Sequence, residues 1–478
     1  MKRLITLSIL VSFLCSVVVF GQDDQDKKPK KKKYTQPTVT TPVTLDRTEP
    51  AAATDPKTIA TEKWFDIFRD ERLQDLVREG LTYNYNIREA VARVNLARAN
   101  YGITRSEQFP TIGASGDVVS EYRSRDGALS LPEPLPRQRN FGSVLLNLLT
   151  FEIDLFGRKR KETAAAKADL LATEEARLAV ALTLVSDIAT AYYNMRELDF
   201  ELEIAKNTLK SRQESLRIIR LRQERGVSNL LELRQAEELV YDATEVIPAV
   251  EKAIETQENF ISLLIGKNPQ EILRGRTLVE QAMPPEVPAG LPSDLLTRRP
   301  DIRSAEQSLI AASARVDVAR KAYFPTISIT GFLGFESAQL STLFSGSRFT
   351  WGLNPAITAP IFTAGRIKSN INYTKAQREL LLINYERTIQ TAFREVSDAL
   401  VAYKKVKEVR TERALLVTTL RDRTRLAYLR YNGGVANLLE ALDADRELFN
   451  AELSLAQARR DELLTVVQVY KALGGGWQ

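Results

Sequence analysis

The chain has 478 residues, and its net charge of +6 is small for this length, which gives little support to nucleic-acid binding. It contains no histidine and one cysteine, which excludes histidine-based catalytic triads, most zinc sites and an internal disulfide. No pair of carboxylates has a pattern typical of general acid–base catalysis, so the sequence predicts no catalytic, cofactor-binding or metal site.

The N-terminus has the pattern of an export signal. Two basic residues, an apolar stretch over residues 4–20 and a small residue after it predict a signal peptide over residues 1–21. The alternative is a lipoprotein signal with Cys15 acylated, although Leu14 is bulky where such sites prefer a small residue. Residues 22–60 are rich in lysine, proline and threonine, which predicts an extended or disordered leader. No later stretch has the length and apolar composition expected of a membrane-spanning helix.

The rest of the chain consists of two copies of one unit. Helical periodicity begins at Trp64, and a helix over about residues 86–107 ends at Phe109-Pro110. The second copy has the matching helix end at Phe324-Pro325. We predict repeat 1 over residues 61–285 and repeat 2 over residues 286–478.

A β-hairpin follows each of these helix ends. The apolar residues change there from helical spacing to strict alternation, which is typical of strands with two different faces. The predicted hairpins cover about residues 109–154 and 324–362, and the last strand is predicted over about residues 348–361. Each strand is long enough to cross a bilayer if it is tilted.

An unusually long helix follows each hairpin, over about residues 158–225 and 366–432. At 1.5 Å per residue such a helix is about 100 Å long, more than a single globular domain needs. Coiled-coil spacing of residues such as Leu182, Val185 and Ala189 predicts that the helix packs lengthwise against neighbours.

Both long helices end in nearly the same turn, Gly-Val-Ser-Asn at residues 226–229 and Gly-Val-Ala-Asn at residues 434–437. Glycine permits the reversal, and asparagine caps the helix that follows. These shorter helices are predicted over about residues 229–265 and 437–473.

The predicted fold class is therefore mainly α-helical with membrane β-strands, in two tandem repeats of helix, β-hairpin, long helix and helix. Four strands cannot close a barrel, and an open strand edge is costly in lipid. Known small barrels have about eight strands, so two copies (eight strands) or three copies (twelve strands) could close one. The pattern predicts an oligomeric tube across an outer membrane.

Three motifs stand out: Leu-Pro-Ser-Asp-Leu-Leu-Thr-Arg-Arg-Pro-Asp-Ile-Arg at residues 291–303, Asp-Leu-Phe-Gly-Arg at residues 154–158, and Tyr-Lys-Ala-Leu-Gly-Gly-Gly-Trp at residues 470–477. These motifs resemble those of the TolC-like outer-membrane efflux proteins, and most closely those of the OprM/NodT branch that works with RND pumps. The resemblance extends from about Trp64 to Trp477.

This resemblance implies a homotrimer in which a twelve-stranded β-barrel in outer-membrane lipid continues into a twelve-helix α-barrel in the periplasm. It implies no catalysis and no cofactor. The implied partners are a periplasmic adaptor protein and an inner-membrane pump of the RND type. The implied function is the exit duct of a tripartite efflux pump for drugs, toxic compounds or metal ions. Members of this branch often carry an acylated N-terminal cysteine, which Cys15 matches poorly.

The two turns at the far ends of the long helices are candidate docking sites for the adaptor. They could also be only turns, but the free end of a tube must meet its partner, and loops commonly carry binding residues. The candidate docking residues are Gly226, Val227, Ser228, Gly434, Val435 and Ala436.

Just after the second turn, Leu439 and Asp443 are spaced to lie on one face of the helix. The family's periplasmic gate matches these positions, where three copies would form a ring of leucines and a ring of carboxylates. Glu440 and Asp445 are nearby acids that could contribute. The first copy has Gln235 in place of Asp443, so the carboxylates would come from the second copy alone. From the residues alone, a solvated aspartate on an exposed face is the simpler interpretation, but the resemblance favours the gate.

Two other functions stay open at this point. The same fold serves as the exit duct of type I protein-secretion systems, and no residue here separates secretion from efflux. A periplasmic coiled-coil protein without a channel is the alternative from another class, and the two hairpins at matching repeat positions argue against it.

Overall fold

The computed structural model describes residues 64–122, 138–281 and 292–475, together with Pro37 and Ser124. The predicted signal peptide, Cys15 and, apart from Pro37, the predicted leader over residues 22–60 lie outside the described residues. The described elements all belong to one compact unit that spans Thr41–Gln478.

The first repeat begins with short helices and continues through a hairpin into the long helix. Asp70 caps the second of these helices by accepting a hydrogen bond from the backbone N–H of Arg72 at 3.0 Å. The elements are α1 Trp64–Ile67, α2 Glu71–Tyr83, α3 Tyr85–Ser106, β1 Ile112–Tyr122, β2 Gln138–Ile153, α4 Arg158–Glu224 and α5 Leu230–Leu264.

The second repeat has the same order, with two single-turn 3-10 helices inside its hairpin loop at Leu340–Thr342 and Gly346–Arg348. Its elements are α6 Pro292–Arg298, α7 Pro300–Lys321, β3 Thr326–Ser337, β4 Phe349–Thr358, α8 Arg366–Asn432 and α9 Leu438–Ala472.

The helix bounds agree with the sequence prediction to within about two residues, but the last strand is shorter than predicted. It ends at Thr358, whose pairing with Thr326 closes the ladder, rather than at residue 361. Pro360 has no backbone N–H to continue the ladder, which accounts for the early end.

The four strands form one antiparallel sheet in the order β1-β2-β3-β4. The two repeats meet at its centre, where β2 pairs with β3 and Leu146 lies opposite Leu333. A β-bulge shifts this register between Leu148 and Phe151. Within the described residues, β1 and β4 are the two edges of the sheet.

The two faces of the sheet differ in chemistry. Residues that pair across strands project to the same face, so the register assigns each residue to one of them. One face is mainly apolar and includes Ile112, Val118, Val144, Leu146, Leu333, Phe335, Trp351, Leu353 and Ile357. The polar residues Ser120, Asn140 and Ser337 also lie on this face, at the end of the sheet away from the helices. The other face is mixed but carries the polar residues Ser115, Asp117, Asn147, Glu336, Thr350 and Asn354. On this second face the Asn147 amide donates to the Ser115 hydroxyl at 2.8 Å.

The long helices hold the helical part of the chain together. Helix α4 packs against α3, α5, α7 and α9, and α8 packs against α7 and α9. The main apolar cluster joins α2, α4 and the C-terminal ends of α5 and α9. Its fully buried large side chains include Phe68, Tyr192, Met195, Ile261 and Tyr470.

Asp70 connects the start of α2 to the segment that follows α5. It accepts hydrogen bonds from the Tyr192 hydroxyl at 2.8 Å, the Arg276 backbone N–H at 2.9 Å and the Gln281 amide at 2.8 Å. Burial acts to raise the pKa of this carboxyl, but these hydrogen bonds outweigh burial and lower it. The ionised Asp70 carboxylate therefore connects the start of α2 to helix α4 and to the segment after α5.

Helix α4 contains an 18-residue stretch that could cross a membrane by length and composition, in contrast to the sequence prediction of none. Of this stretch, 56% is buried inside the structure. Packing against the neighbouring helices accounts for its apolar composition.

Candidate functional site

The first turn closes α4 with a Schellman motif. Gly226 has a φ of +75°, a conformation that glycine adopts without steric cost. The backbone N–H of Val227 donates to the Arg222 carbonyl at 2.8 Å, and that of Gly226 donates to the Gln223 carbonyl at 3.0 Å. These bonds satisfy carbonyls that the helix end would otherwise leave without partners.

The second turn repeats this geometry at the end of α8. Gly434 has a φ of +73°. The backbone N–H of Val435 donates to the Arg430 carbonyl at 3.0 Å, and that of Gly434 donates to the Tyr431 carbonyl at 3.0 Å. In both copies the asparagine after the turn caps the next helix, as predicted. In the second, Asn437 accepts from the Glu440 backbone N–H at 3.1 Å.

The two turns lie side by side. The Arg222 guanidinium donates to the Asn432 side chain at 3.1 Å and lies 5.0 Å from the centre of the Tyr431 ring. Below them, a small apolar cluster joins the ends of α4, α5 and α9. Its buried members are Ile219, Leu233, Ala236, Leu239, Leu438 and Leu442. The predicted docking residues therefore form one continuous surface rather than two separate ones.

This surface presents apolar side chains to solvent. Val227 is 75% exposed and Val435 is 70% exposed, at equivalent positions of the two turns. The Ser228 hydroxyl does not point freely outward, because it hydrogen-bonds to the Glu232 carboxylate. The internally bonded backbone makes this a preformed surface with two exposed valines at its tip.

The predicted gate residues occupy one side of α9. Leu438 and Leu442 face the interior cluster, whereas Leu439 is exposed and Asp443 is partly exposed. Asp443 accepts from Arg446 at 2.9 Å, within the same helix. Glu440 lies beside this pair and accepts from Arg430 of α8 at 3.0 Å. Leu439 and Asp443 thus share an accessible face. Asp443 and Glu440 each have an arginine partner within the single chain.

Asp445 does not share that face, in contrast to its suggested contribution to the gate. Its carboxylate turns inward and accepts from Arg212 of α4 at 2.7 Å. The Arg212 side chain is 3% exposed; it also donates to the Leu239 carbonyl at 2.8 Å and lies 5.0 Å from the centre of the Phe449 ring. Asp445 therefore connects the first repeat to the second and is not available to line a channel.

This buried ion pair is the feature that the sequence reasoning missed. Its signal is present in the sequence, because Ala205, Arg212 and Ile219 follow one another at heptad spacing, and all three are buried. An arginine at a seam position of a long helix predicts a buried carboxylate partner on a neighbouring helix. Within the described ranges, no group of histidine, cysteine, aspartate or glutamate side chains is arranged to hold a metal ion.

The model of the outer membrane efflux protein family matches residues 76–267 and 291–475 of this chain. The chain is 39% identical over 430 residues to the solvent efflux pump outer membrane protein SrpC of Pseudomonas putida, which covers 88% of the chain and 90% of that protein. It is 34% identical over 418 residues to the cation efflux system protein CusC of Escherichia coli, with 87% and 88% covered.

Solved structures show the same fold. The open state of the outer membrane channel MtrE of Neisseria gonorrhoeae matches with a TM-score of 0.84 at 31% identity, covering 93% of this chain and 98% of that one. The fold class and the family resemblance predicted from the sequence are confirmed. The chain belongs to the outer membrane efflux protein family, and it is an outer-membrane protein with the channel fold of that family and a long periplasmic helical extension.

Proposed function

We propose that three copies of this chain form the exit duct of a tripartite efflux pump. The duct passively conducts small molecules that an inner-membrane transporter delivers through a periplasmic adaptor. The observation that carries this proposal is the four-stranded sheet, which has one apolar face and two edge strands.

An isolated sheet of this kind is not stable in lipid. The outward backbone groups of β1 and β4 would lack partners, and each such group costs several kcal/mol in hydrocarbon. Pairing β4 of one copy with β1 of the next removes both edges. Three copies give twelve strands, with the apolar face towards lipid and the polar face towards the lumen. A channel-free coiled-coil protein would have no use for such a sheet.

The long helices extend this duct away from the membrane. Helices α4 and α8 each have 67 residues, which corresponds to about 100 Å. Both begin at the end of a hairpin and run in the same direction, so that they and the shorter helices packed on them form the wall of a periplasmic tube.

The adaptor docks on the joined turns at the far end of that tube. The exposed valines Val227 and Val435 give the apolar contacts, and the Schellman motifs present them on a rigid backbone. A preformed apolar tip binds a partner with little loss of conformational entropy.

The gate lies next to this docking surface. In a ring of three copies, Leu439 forms an apolar constriction and Asp443 forms a ring of carboxylates that attracts cations. Arg446, which pairs with Asp443, moderates this negative potential. Because adaptor and gate residues are separated by only one or two helical turns, docking is placed to influence the constriction directly.

The cargo belongs to the class of small molecules. The relatives are named for the efflux of solvent and of cations, respectively. These names cover both organic and ionic cargo, which fits a passive duct whose selectivity is set by the inner-membrane transporter.

Assembly is tested by native mass spectrometry of the detergent-solubilised protein. We expect the mass of three copies, each without its signal peptide. A stable monomer or dimer would contradict the closed twelve-stranded barrel.

The gate is tested by single-channel currents of Asp443→Ala, with Gln235→Ala at the equivalent position of repeat 1 as the matched control. We expect Asp443→Ala to raise the resting conductance or weaken block by divalent cations, because a ring of three charges is lost. Gln235→Ala should leave both properties unchanged. Currents of Asp443→Ala that match the parent protein would remove Asp443 from the gate.

Docking is tested by cross-linking the duct to its adaptor. Val435→Asp should reduce the cross-linked product, because it places a charge in an apolar contact, whereas Val435→Ile should retain it. The trimer mass serves as the folding control for both variants. Undiminished cross-linking of Val435→Asp would exclude this turn from the docking surface.

A further inference from the structure

We propose that the loop between β3 and β4, residues 338–348, anchors the barrel in the outer leaflet of the membrane by binding lipid at the boundary between acyl chains and headgroups. This inference rests on the proposed insertion of the sheet into lipid. The strands connect to helices α7 and α8 at one end, so this loop lies at the opposite, outward end of the sheet.

The loop is ordered by its own hydrogen bonds. The backbone N–H groups of Thr342, Leu343 and Ser345 each donate to the carbonyl three residues earlier at 3.1–3.3 Å, and that of Arg348 donates to the Ser345 carbonyl at 2.9 Å. The Ser337 hydroxyl bonds to the Thr342 hydroxyl at 3.0 Å and accepts from the Gln339 backbone at 3.2 Å. A segment that satisfies its backbone groups internally can lie against hydrocarbon at low cost.

The side chains of the loop divide into an inner and an outer set. Leu343 is buried, whereas Leu340 is 58% exposed and Phe344 is 71% exposed. Leu340 lies over Gly142 of β2, where a Cβ atom would be only 2.5 Å from its Cδ2 atom. Gly142 shares its face with Val118 and Val144, so the loop folds down onto the apolar face of the sheet.

Phe344 extends this apolar face at its outward end. Its ring makes an edge contact with Phe335 at 5.7 Å, and Phe335 makes another with Phe349 at 5.9 Å. Trp351, one step further along the same face of β4, is also exposed. Aromatic side chains are enriched where membrane barrels meet the headgroup region. The exposed Arg348 at the end of the loop can reach anionic headgroups.

Lipid is favoured over a second copy of the chain by the position of Gly142. It lies on β2, an interior strand, so Leu340 covers the face of the sheet rather than the edge where another copy would join. Water is disfavoured because the exposed leucine and phenylalanine lie against Gly142 and Phe335 of the lipid-facing surface and enlarge its apolar area.

Site-directed spin labelling of the reconstituted protein tests this contact, in a chain with Cys15→Ser. Single cysteines replace Phe344 in the loop, Leu333 on the apolar face and Thr350 on the polar face. A nitroxide spin label is attached to each cysteine, and two collision rates are measured for it. One is with oxygen, which concentrates in hydrocarbon, and the other is with a water-soluble nickel chelate. We expect the oxygen-to-nickel ratio at position 344 to be severalfold above that at 350 and below that at 333.

The three positions separate the two claims. A low ratio at 344 beside a high ratio at 333 would overturn the anchor and leave the duct intact. A low ratio at 333 would overturn the insertion of the sheet itself. If Phe344→Cys does not assemble, the label at Leu340→Cys replaces it, and the same two ratios support or overturn the anchor.

Discussion

Replacing Asp445 by alanine should destabilise the protein by about 3 kcal/mol. The substitution leaves the Arg212 guanidinium buried without its carboxylate, and breaking a buried ion pair from one side costs about 3–5 kcal/mol. The lower end applies, because Arg212 keeps its hydrogen bond to the Leu239 carbonyl at 2.8 Å and its contact with the Phe449 ring. Removing both charges together, in Arg212→Met/Asp445→Leu, should recover most of the loss.

Urea unfolding in detergent, followed by the helical circular dichroism signal, measures this difference. Asp422→Ala is the matched control, since Asp422 pairs with Arg425 at 2.7 Å on the exposed surface of α8. We expect the control to cost less than about 1 kcal/mol. A loss of stability in Asp445→Ala no larger than that in Asp422→Ala would refute the energetic role of the buried ion pair. A double variant less stable than Asp445→Ala would refute it as well.

Two further predictions concern backbone strain and pH. Gly434→Ala should lower the free energy of unfolding by about 1–2 kcal/mol, because alanine is strained at the φ of +73° that this position adopts. No atom lies within 4 Å of the new Cβ, so this backbone strain is the whole effect. Gly102→Ala lies within helix α3, also without an atom within 4 Å, and should raise the free energy of unfolding by about 0.5–1 kcal/mol because alanine favours a helix over glycine. The same change in stability for both substitutions would contradict backbone strain at Gly434. Burial and the neighbouring Glu201 raise the pKa of Glu197 from 4.5 to about 8, against the opposing effect of Arg460. Between pH 4.5 and 8 the Glu197 carboxyl is therefore protonated in the folded chain and ionised in the unfolded chain. The free energy of unfolding should fall as the pH rises through this range. Glu197→Gln should flatten this dependence in unfolding curves measured across that range, and an unaltered slope would show that Glu197 is not its source.

The periodicity of the sequence was sufficient to predict the helices and the repeat. The turns at Gly226 and Gly434 were predicted because the backbone needs a glycine there and an asparagine to cap the next helix. The structure of each turn depends on its own few residues, and the two turns have the same geometry.

Contacts between distant segments could not be predicted in this way. Alternation identifies the two faces of β2 and β3, but it does not show that these strands pair with each other or that a bulge follows Leu148. The inward turn of Asp445 depends on Arg212, 233 positions earlier in the chain. The fold of residues 338–348 onto the sheet depends on the space above Gly142, which no local pattern records.

Electrical recording from the purified protein in planar lipid bilayers tests the duct most directly. We expect discrete conductance steps from the trimer, because its twelve strands enclose a lumen with polar side chains such as Asp117, Asn147 and Thr350. Absence of conductance under all conditions, from protein that stays in solution without detergent, would contradict the duct.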